Sequence, residues 1–147
     1  MKKQAYTMIA MMILAGFVAM SSAKAQTSAS RQLIANIPFE FRVDNKAMPA
    51  GAYTVRQINP ASDRAVLQLR SKDGSASAMV QMTSVNGKTR EGAQLSFHRY
   101  GNQYFFAQAW VDSNGLQASK SRAERMNERE LAGTRVKTET VALTSRQ

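Results

Sequence analysis

Cysteine is absent from the 147 residues, histidine occurs once and proline three times. Without cysteine there is no disulfide, and no thiol at a processed amino terminus to carry a lipid. A structural zinc needs several imidazole or thiolate ligands, so His98 alone excludes one. Acids are scarce as well, ten against twenty Lys and Arg, for a formal net charge of +10. A calcium loop requires acids at alternating positions, and neither Asp44-Asn45 nor Asp63 belongs to such a set. No Gly-x-Ser-x-Gly elbow marks a serine nucleophile, and no glycine motif cradles a phosphate. A Ser/His/acid site would have to use His98 as its base. The chain has no internal repeat and no low-complexity tract. No cofactor, metal site or catalytic residue is therefore expected.

What is present begins with Lys2 and Lys3, an apolar run from Met8 to Met20, and the small-residue pattern Ala23-Lys24-Ala25. Charge, apolar core and small-residue site in that order describe a secretory signal peptide, residues 1–25, cut before Gln26. A cut after Ala23 is the competing site. Ala5 to Met20 falls short of the roughly 20 residues that a spanning helix needs, so no transmembrane anchor is expected after cleavage. The product belongs in the periplasm or outside the cell. Residues 26–31 read as a flexible leader and 32–147 as a single β domain.

Three lysines leave with the signal, so +7 of the +10 remains. Arg31, Arg42, Arg56, Arg64, Arg70, Arg90, Arg99 and Arg135 are scattered along the chain, and scattered charge focuses little field. YFFAQAW reads as buried area, not as a stacking platform for bases, and nucleic acid is not an expected partner. Most of the acids fall in turns, on outer strand faces or on a charged helix, where solvated surface is the default.

Ile37 to Val55 is the segment on which the fold reading turns. Leu33, Ala35, Ile37, Phe39, Phe41 and Val43 alternate as one buried face, with Pro38 marking an edge or an irregularity. Pro49-Ala50-Gly51 fits a type I turn, after which Tyr53 and Val55 resume the alternation. Asp73-Gly74 suits a type I′ hairpin, which pairs Leu69 with Ala78, Leu67 with Val80 and Ala65 with Met82. A second hairpin at Gly101-Asn102 pairs His98 with Phe105, Phe97 with Phe106 and Ala93 with Trp110. Leu95, Phe97, Phe106 and Trp110 then share one face, and the other face is apolar enough to be covered too. Leu67, Leu69, Val80, Phe97, Phe106 and Trp110 are the expected core.

In SKSRAERMNERELAG, Ser121 stands three residues before Glu124 as a capping box and Gly133 sits at a carboxy-terminal cap position. A surface helix over 121–132 follows, with a narrow apolar stripe of Ala123, Met126, Leu131 and Ala132. Val136 to Leu143 is the last strand. The spacing of short strands and turns predicts an all-β domain with one helix, an antiparallel β-sandwich or partly open barrel of about seven strands.

The segments NIPFEFRVDNKAMPAGAYTV, AVLQLRSKDG, LSFHRYGNQYFFAQAW and SKSRAERMNERELA together resemble a family of small exported bacterial β-rich proteins of unknown function. The resemblance implies a secreted, mostly β domain with a late helix, and brings no catalytic residue with it. The functional expectation is an exported, non-enzymatic module that binds an extracytoplasmic protein or an anionic polymer, or packs into an envelope assembly. A hydrolase of envelope or environmental polymers is the alternative, and a barrel carrier of an apolar ligand a further one. The candidate binding residues are His98, Arg99 and Tyr100 at the second hairpin's end, where an imidazole, a guanidinium and a phenol adjoin. Alternation sends Arg99 to the opposite face from the other two, beside Tyr104.

Overall fold

The structure, a computed structural model, describes residues 32–59, 64–86, 92–111, 114–133 and 135–145. The expected signal peptide and leader lie outside these residues, as do residues 60–63 and 87–91. Among the described residues there are ten strands and one helix. They are β1 (Leu33–Ile37), β2 (Phe41–Val43), β3 (Lys46–Met48), β4 (Gly51–Gln57), β5 (Arg64–Ser71), β6 (Ser77–Val85), β7 (Gln94–Tyr100), β8 (Gln103–Val111), β9 (Asn114–Ala118), α1 (Arg122–Glu130) and β10 (Lys137–Ser145).

Neighbours run β8-β7-β10-β1-β4-β5-β6-β9, and β9 pairs back onto β8 to close an eight-stranded antiparallel barrel. This corrects the expectation of a sandwich or partly open barrel of about seven strands. The seven expected strands correspond to β1, β4, β5, β6, β7, β8 and β10. The eighth is β9, whose sequence NGLQA holds one large apolar residue and so shows no alternation to read.

The alternating segment from Leu33 to Val43 is two strands. Pro38 supplies no ladder donor, and β1 ends before it. β1 and β4 pair directly, from Leu33 opposite Val55 to Ile37 opposite Gly51. Residues 38–50 are thus an excursion from a hairpin. Within it β2 and β3 pair with each other, and β2 joins β8 in parallel at Arg42 and Phe105. The buried side chains of this hairpin, Phe41, Val43 and Met48, enter the barrel core. The Tyr53 hydroxyl donates to the Pro49 carbonyl at 2.5 Å and holds the return turn.

The β5–β6 register is the one expected from the sequence, including Leu69 with Ala78, Leu67 with Val80 and Ala65 with Met82. Its turn differs in type. A type I′ turn needs positive φ at both centres, but Gly74 has it (φ 78°) and Asp73 does not. Instead the Asp73 carboxylate accepts from Ser71 Oγ (2.6 Å), Ser75 Oγ (2.8 Å) and the Ser75 N–H (3.0 Å). These three donors hold its pKa down at about 2.

In the β7–β8 hairpin, Tyr100, His98 and Phe97 face Gln103, Phe105 and Phe106 as expected. The register then shifts between Ser96 and Phe97, so that Ser96 faces Gln108 and Ala107 is the extra residue of a bulge. The expected pairing of Ala93 with Trp110 is replaced by Gln94 with Trp110. One residue of slip turns every later side chain to the other face. Ala109 therefore joins the core, while Trp110, still buried, lies outside it. Its indole lies over Gly115 of β9, where a Cβ would meet the ring at 2.6 Å. The other expected core residues, Leu67, Leu69, Val80, Phe97 and Phe106, are in the interior.

Aromatic rings interlock inside the barrel. Phe97 meets Phe41 at 5.3 Å between centroids, Phe106 at 5.8 Å and Phe39 at 5.2 Å, all edge to face, and Phe41 meets Tyr53 at 5.2 Å in the same way. Such contacts add to the area buried by each ring.

Candidate functional site

On β7 the core takes Leu95 and Phe97, so alternation turns Ser96, His98 and Tyr100 outward. Helix α1 lies against this outward face. Its Glu124, only 3% exposed, places Oε1 2.7 Å from His98 Nδ1 and 3.3 Å from the Tyr100 hydroxyl. The imidazole donates through Nδ1 and the phenol through its O–H, so one carboxylate oxygen receives both. Tyr100 also packs edge to face on Phe105, at 5.7 Å. Its burial, and then the charges of Glu124 and Glu128, push the phenol pKa well above the ordinary value, which keeps the hydroxyl a donor.

The apolar stripe is not the docking face: Met126 is 52% exposed and Ala132 is exposed, while Ala123 and Leu131 are half-buried. Polar residues hold the helix down, Glu124 as described and Asn127 by donating to Gln103 Oε1 at 3.1 Å. Glu124 thereby departs from the solvated-surface reading given to the acids. The capping box is half formed as well. Ser121 is the N-cap and its Oγ accepts from the Glu124 N–H at 3.1 Å, but the Glu124 carboxylate turns to the barrel. The helix is also shorter than 121–132, because Leu131 leaves helical geometry (φ −94°, ψ 23°) and the Ala132 N–H bonds back three residues to Arg129.

Arg99 stands on the other face, as alternation requires. Its guanidinium lies 5.4 Å from the Tyr104 ring centroid, donates to the Gly101 carbonyl at 2.9 Å and reaches Glu139 at 3.3 Å. Phe39 stacks on the same tyrosine at 4.0 Å. The structure thus joins His98 and Tyr100 through Glu124 and sets Arg99 apart. Glu124, Ser121 and Asn127 belong to the cluster; the sequence marks Ser121 and Glu124 as a capping box and none of the three as a site residue. The available signal was the scarcity of polar residues on the outward face of β7–β8, which called for a cover.

Chemically, a carboxylate on an imidazole Nδ1 is the arrangement that orients a histidine base in hydrolytic sites, and His98 and Glu124 share that geometry. Ser96, two residues along the same face, is 2% exposed and its Oγ has no hydrogen-bond partner. Ser121 Oγ serves the helix cap. Among the described residues no three His, Cys, Asp or Glu side chains gather as metal ligands, and no helix is long and apolar enough to cross a membrane. No protein family, curated protein or solved structure matches the chain.

Proposed function

We propose that this chain is an exported, non-enzymatic β-barrel module that works by binding at its exterior. The observation that carries the reading is the pairing of its most reactive groups with each other. His98 Nδ1 and the Tyr100 hydroxyl both bond to Glu124 and fasten α1 to the barrel, and among the described residues no hydroxyl is hydrogen-bonded to the imidazole. The signal-like amino terminus and the resemblance to small exported bacterial proteins support the compartment. The interlocked rings of Phe41, Tyr53, Phe97 and Phe106 favour a solid barrel over a carrier of an apolar ligand. Arg99, already engaged by Glu139 and Tyr104, is a weaker anchor for an anionic polymer than the bare sequence suggests.

The competing reading is a hydrolase in which His98, oriented by Glu124, acts as base for an incoming hydroxyl or water. One experiment separates the two. The secreted protein and His98→Ala are incubated with peptidoglycan, acidic glycans and chromogenic esters, and pulled down against envelope fractions. The module reading expects no turnover from either protein and capture of an envelope component by the native chain. Hydrolysis that disappears in His98→Ala would replace it with the hydrolase.

A further inference from the structure

The arginines are spread along the sequence, but strand pairing gathers two of them on one face. β4 and β5 place Thr54 opposite Arg70 and Arg56 opposite Gln68, and β5 and β6 place Arg70 opposite Ser77 and Gln68 opposite Met79. Val55, Leu69 and Ala78, which alternate with these residues, are buried in the core. Thr54, Arg56, Gln68, Arg70, Ser77 and Met79 therefore turn outward. Arg56 and Arg70 are then diagonal neighbours, about 7 to 8 Å apart between Cα atoms. Lys72 follows Arg70 at the exposed end of β5, its N–H donating to the Ala52 carbonyl at 2.9 Å. Lys46 reaches the same corner, donating Nζ to the Ser77 carbonyl at 2.6 Å.

Little on this face answers the positive charge. β4, β5 and β6 contain no acid. Arg56, Arg70 and Lys72 are exposed, and among the described residues their side chains make no hydrogen bond or ion pair. Two acids border the face. Asp73 directs its carboxylate to Ser71 and Ser75, and Asp44 stands at the β6 edge beside Met79 and Gln81. Helix α1 lies on β7 instead, through Glu124. Between the cations the face offers the hydroxyls and amides of Thr54, Gln68, Ser77 and Gln81, with Met79 and the half-buried Val66 as its large apolar side chains.

We propose that the outer face of β4, β5 and β6 binds an acidic polysaccharide. Arg56 and Arg70 each take a uronate carboxylate, and Lys72 and Lys46 add to the attraction. A guanidinium grips a carboxylate through paired donors, which an ammonium does not reproduce. The hydroxyls and amides beside the arginines suit the sugar hydroxyls of the same chain. A bilayer surface would call for more apolar area than Met79 and Val66 present. The inference rests on the reading of the chain as a module that binds at its exterior, and it names the surface and the partner, moving the anchor away from Arg99.

The probe is polygalacturonate, titrated calorimetrically into the purified protein, with neutral dextran expected not to bind. Arg56→Ala combined with Arg70→Ala should weaken binding about tenfold, the scale of two exposed ion pairs. Both side chains are exposed, so the variant should fold as the native chain does. Arg56→Lys combined with Arg70→Lys keeps the charge and should recover less than half of that loss. Arg122→Ala combined with Arg129→Ala removes the same charge from exposed positions of α1 and should weaken binding less than twofold. Equal weakening by the α1 pair would reduce the effect to net charge and overturn the proposal. Tighter binding of a single-stranded DNA oligonucleotide or of phosphatidylglycerol vesicles than of polygalacturonate would overturn it as well. If polygalacturonate does not bind while the native chain and the Arg56/Arg70 variant capture the same envelope component, this inference fails and the exterior-binding reading stands. If polygalacturonate is cleaved by the native chain and not by His98→Ala, the non-enzymatic reading fails while the arginine face keeps its ligand.

Discussion

Replacing Glu124 by Ala removes the shared acceptor of two donors that stand on a strand remote in sequence. Tyr100, 4% exposed, would keep a hydroxyl without a partner, which costs about 1 to 3 kcal/mol, and His98 would lose a charge-assisted bond. Removing one member of a buried pair costs about 3 to 5 kcal/mol. His98 is a quarter exposed, and water relieves part of that loss. The expected destabilisation is about 2 to 4 kcal/mol. Glu124→Gln keeps an acceptor oxygen at the same reach and should recover more than half of it. Met126→Ala is the control, since a half-exposed methionine should cost under about 0.5 kcal/mol. Urea unfolding followed by far-ultraviolet circular dichroism and by Trp110 fluorescence measures all three. If Met126→Ala costs as much as Glu124→Ala, the helix is held by its apolar stripe and the polar docking described above is wrong.

Asp73 has a folded pKa lowered to about 2 against an ordinary value near 3.8, so its contribution to stability is present above about pH 4 and lost as pH falls through about 2. The stability gap between the native chain and Asp73→Asn should accordingly be constant from pH 7 to 5 and close towards pH 2, and a gap that stays constant to pH 2 would refute the three-donor turn. Gly115→Ala would set a Cβ 2.6 Å from the Trp110 ring and 2.9 Å from the Val85 carbonyl, and should cost about 1 to 3 kcal/mol with a shifted tryptophan emission. A neutral Gly115→Ala with unchanged emission would mean that the indole lies elsewhere.

Much of the strand register could be read from the chain because turn chemistry and period-two alternation agree independently. Leu67, Leu69, Val80 and Ala78 fall into place from one Asp-Gly and one pattern, even though the turn itself takes another form. The bulge could not be read. Ala107 and Ala109 are small enough for either face, so nothing in FFAQAW announces the slip that carries Trp110 out of the core. β9 escaped for a related reason, since Gly115 opposite an indole looks like loop composition until the indole is known to lie over it. The helix was legible as a helix and not in its orientation. Burying Glu124 is unfavourable unless donors wait for it, and those donors, His98 and Tyr100, are supplied by β7.

β6 and β8 each have nine residues and β9 between them has five. At about 3.4 Å per residue the shorter strand leaves some 14 Å of seam uncovered on either neighbour. Residues 38–50, which a plain β1–β4 hairpin would replace with a tight turn, meet that gap unequally. On the β8 side β2 pairs with the backbone at Phe105, and inside the barrel Phe41, Val43 and Met48 seal the core. On the β6 side β2 lies near β6 without pairing with it, and Lys46 donates its ammonium to the Ser77 carbonyl. Hydrophobic closure and backbone pairing are thereby separated, so the edge can stay unpaired without opening the interior to water. An unpaired edge ordinarily invites aggregation and is blocked by charge or shape. Here β2 lies close to it and Lys46 donates to its Ser77 carbonyl. The excursion after Pro38 therefore shapes both the seal of the barrel and the surface it presents.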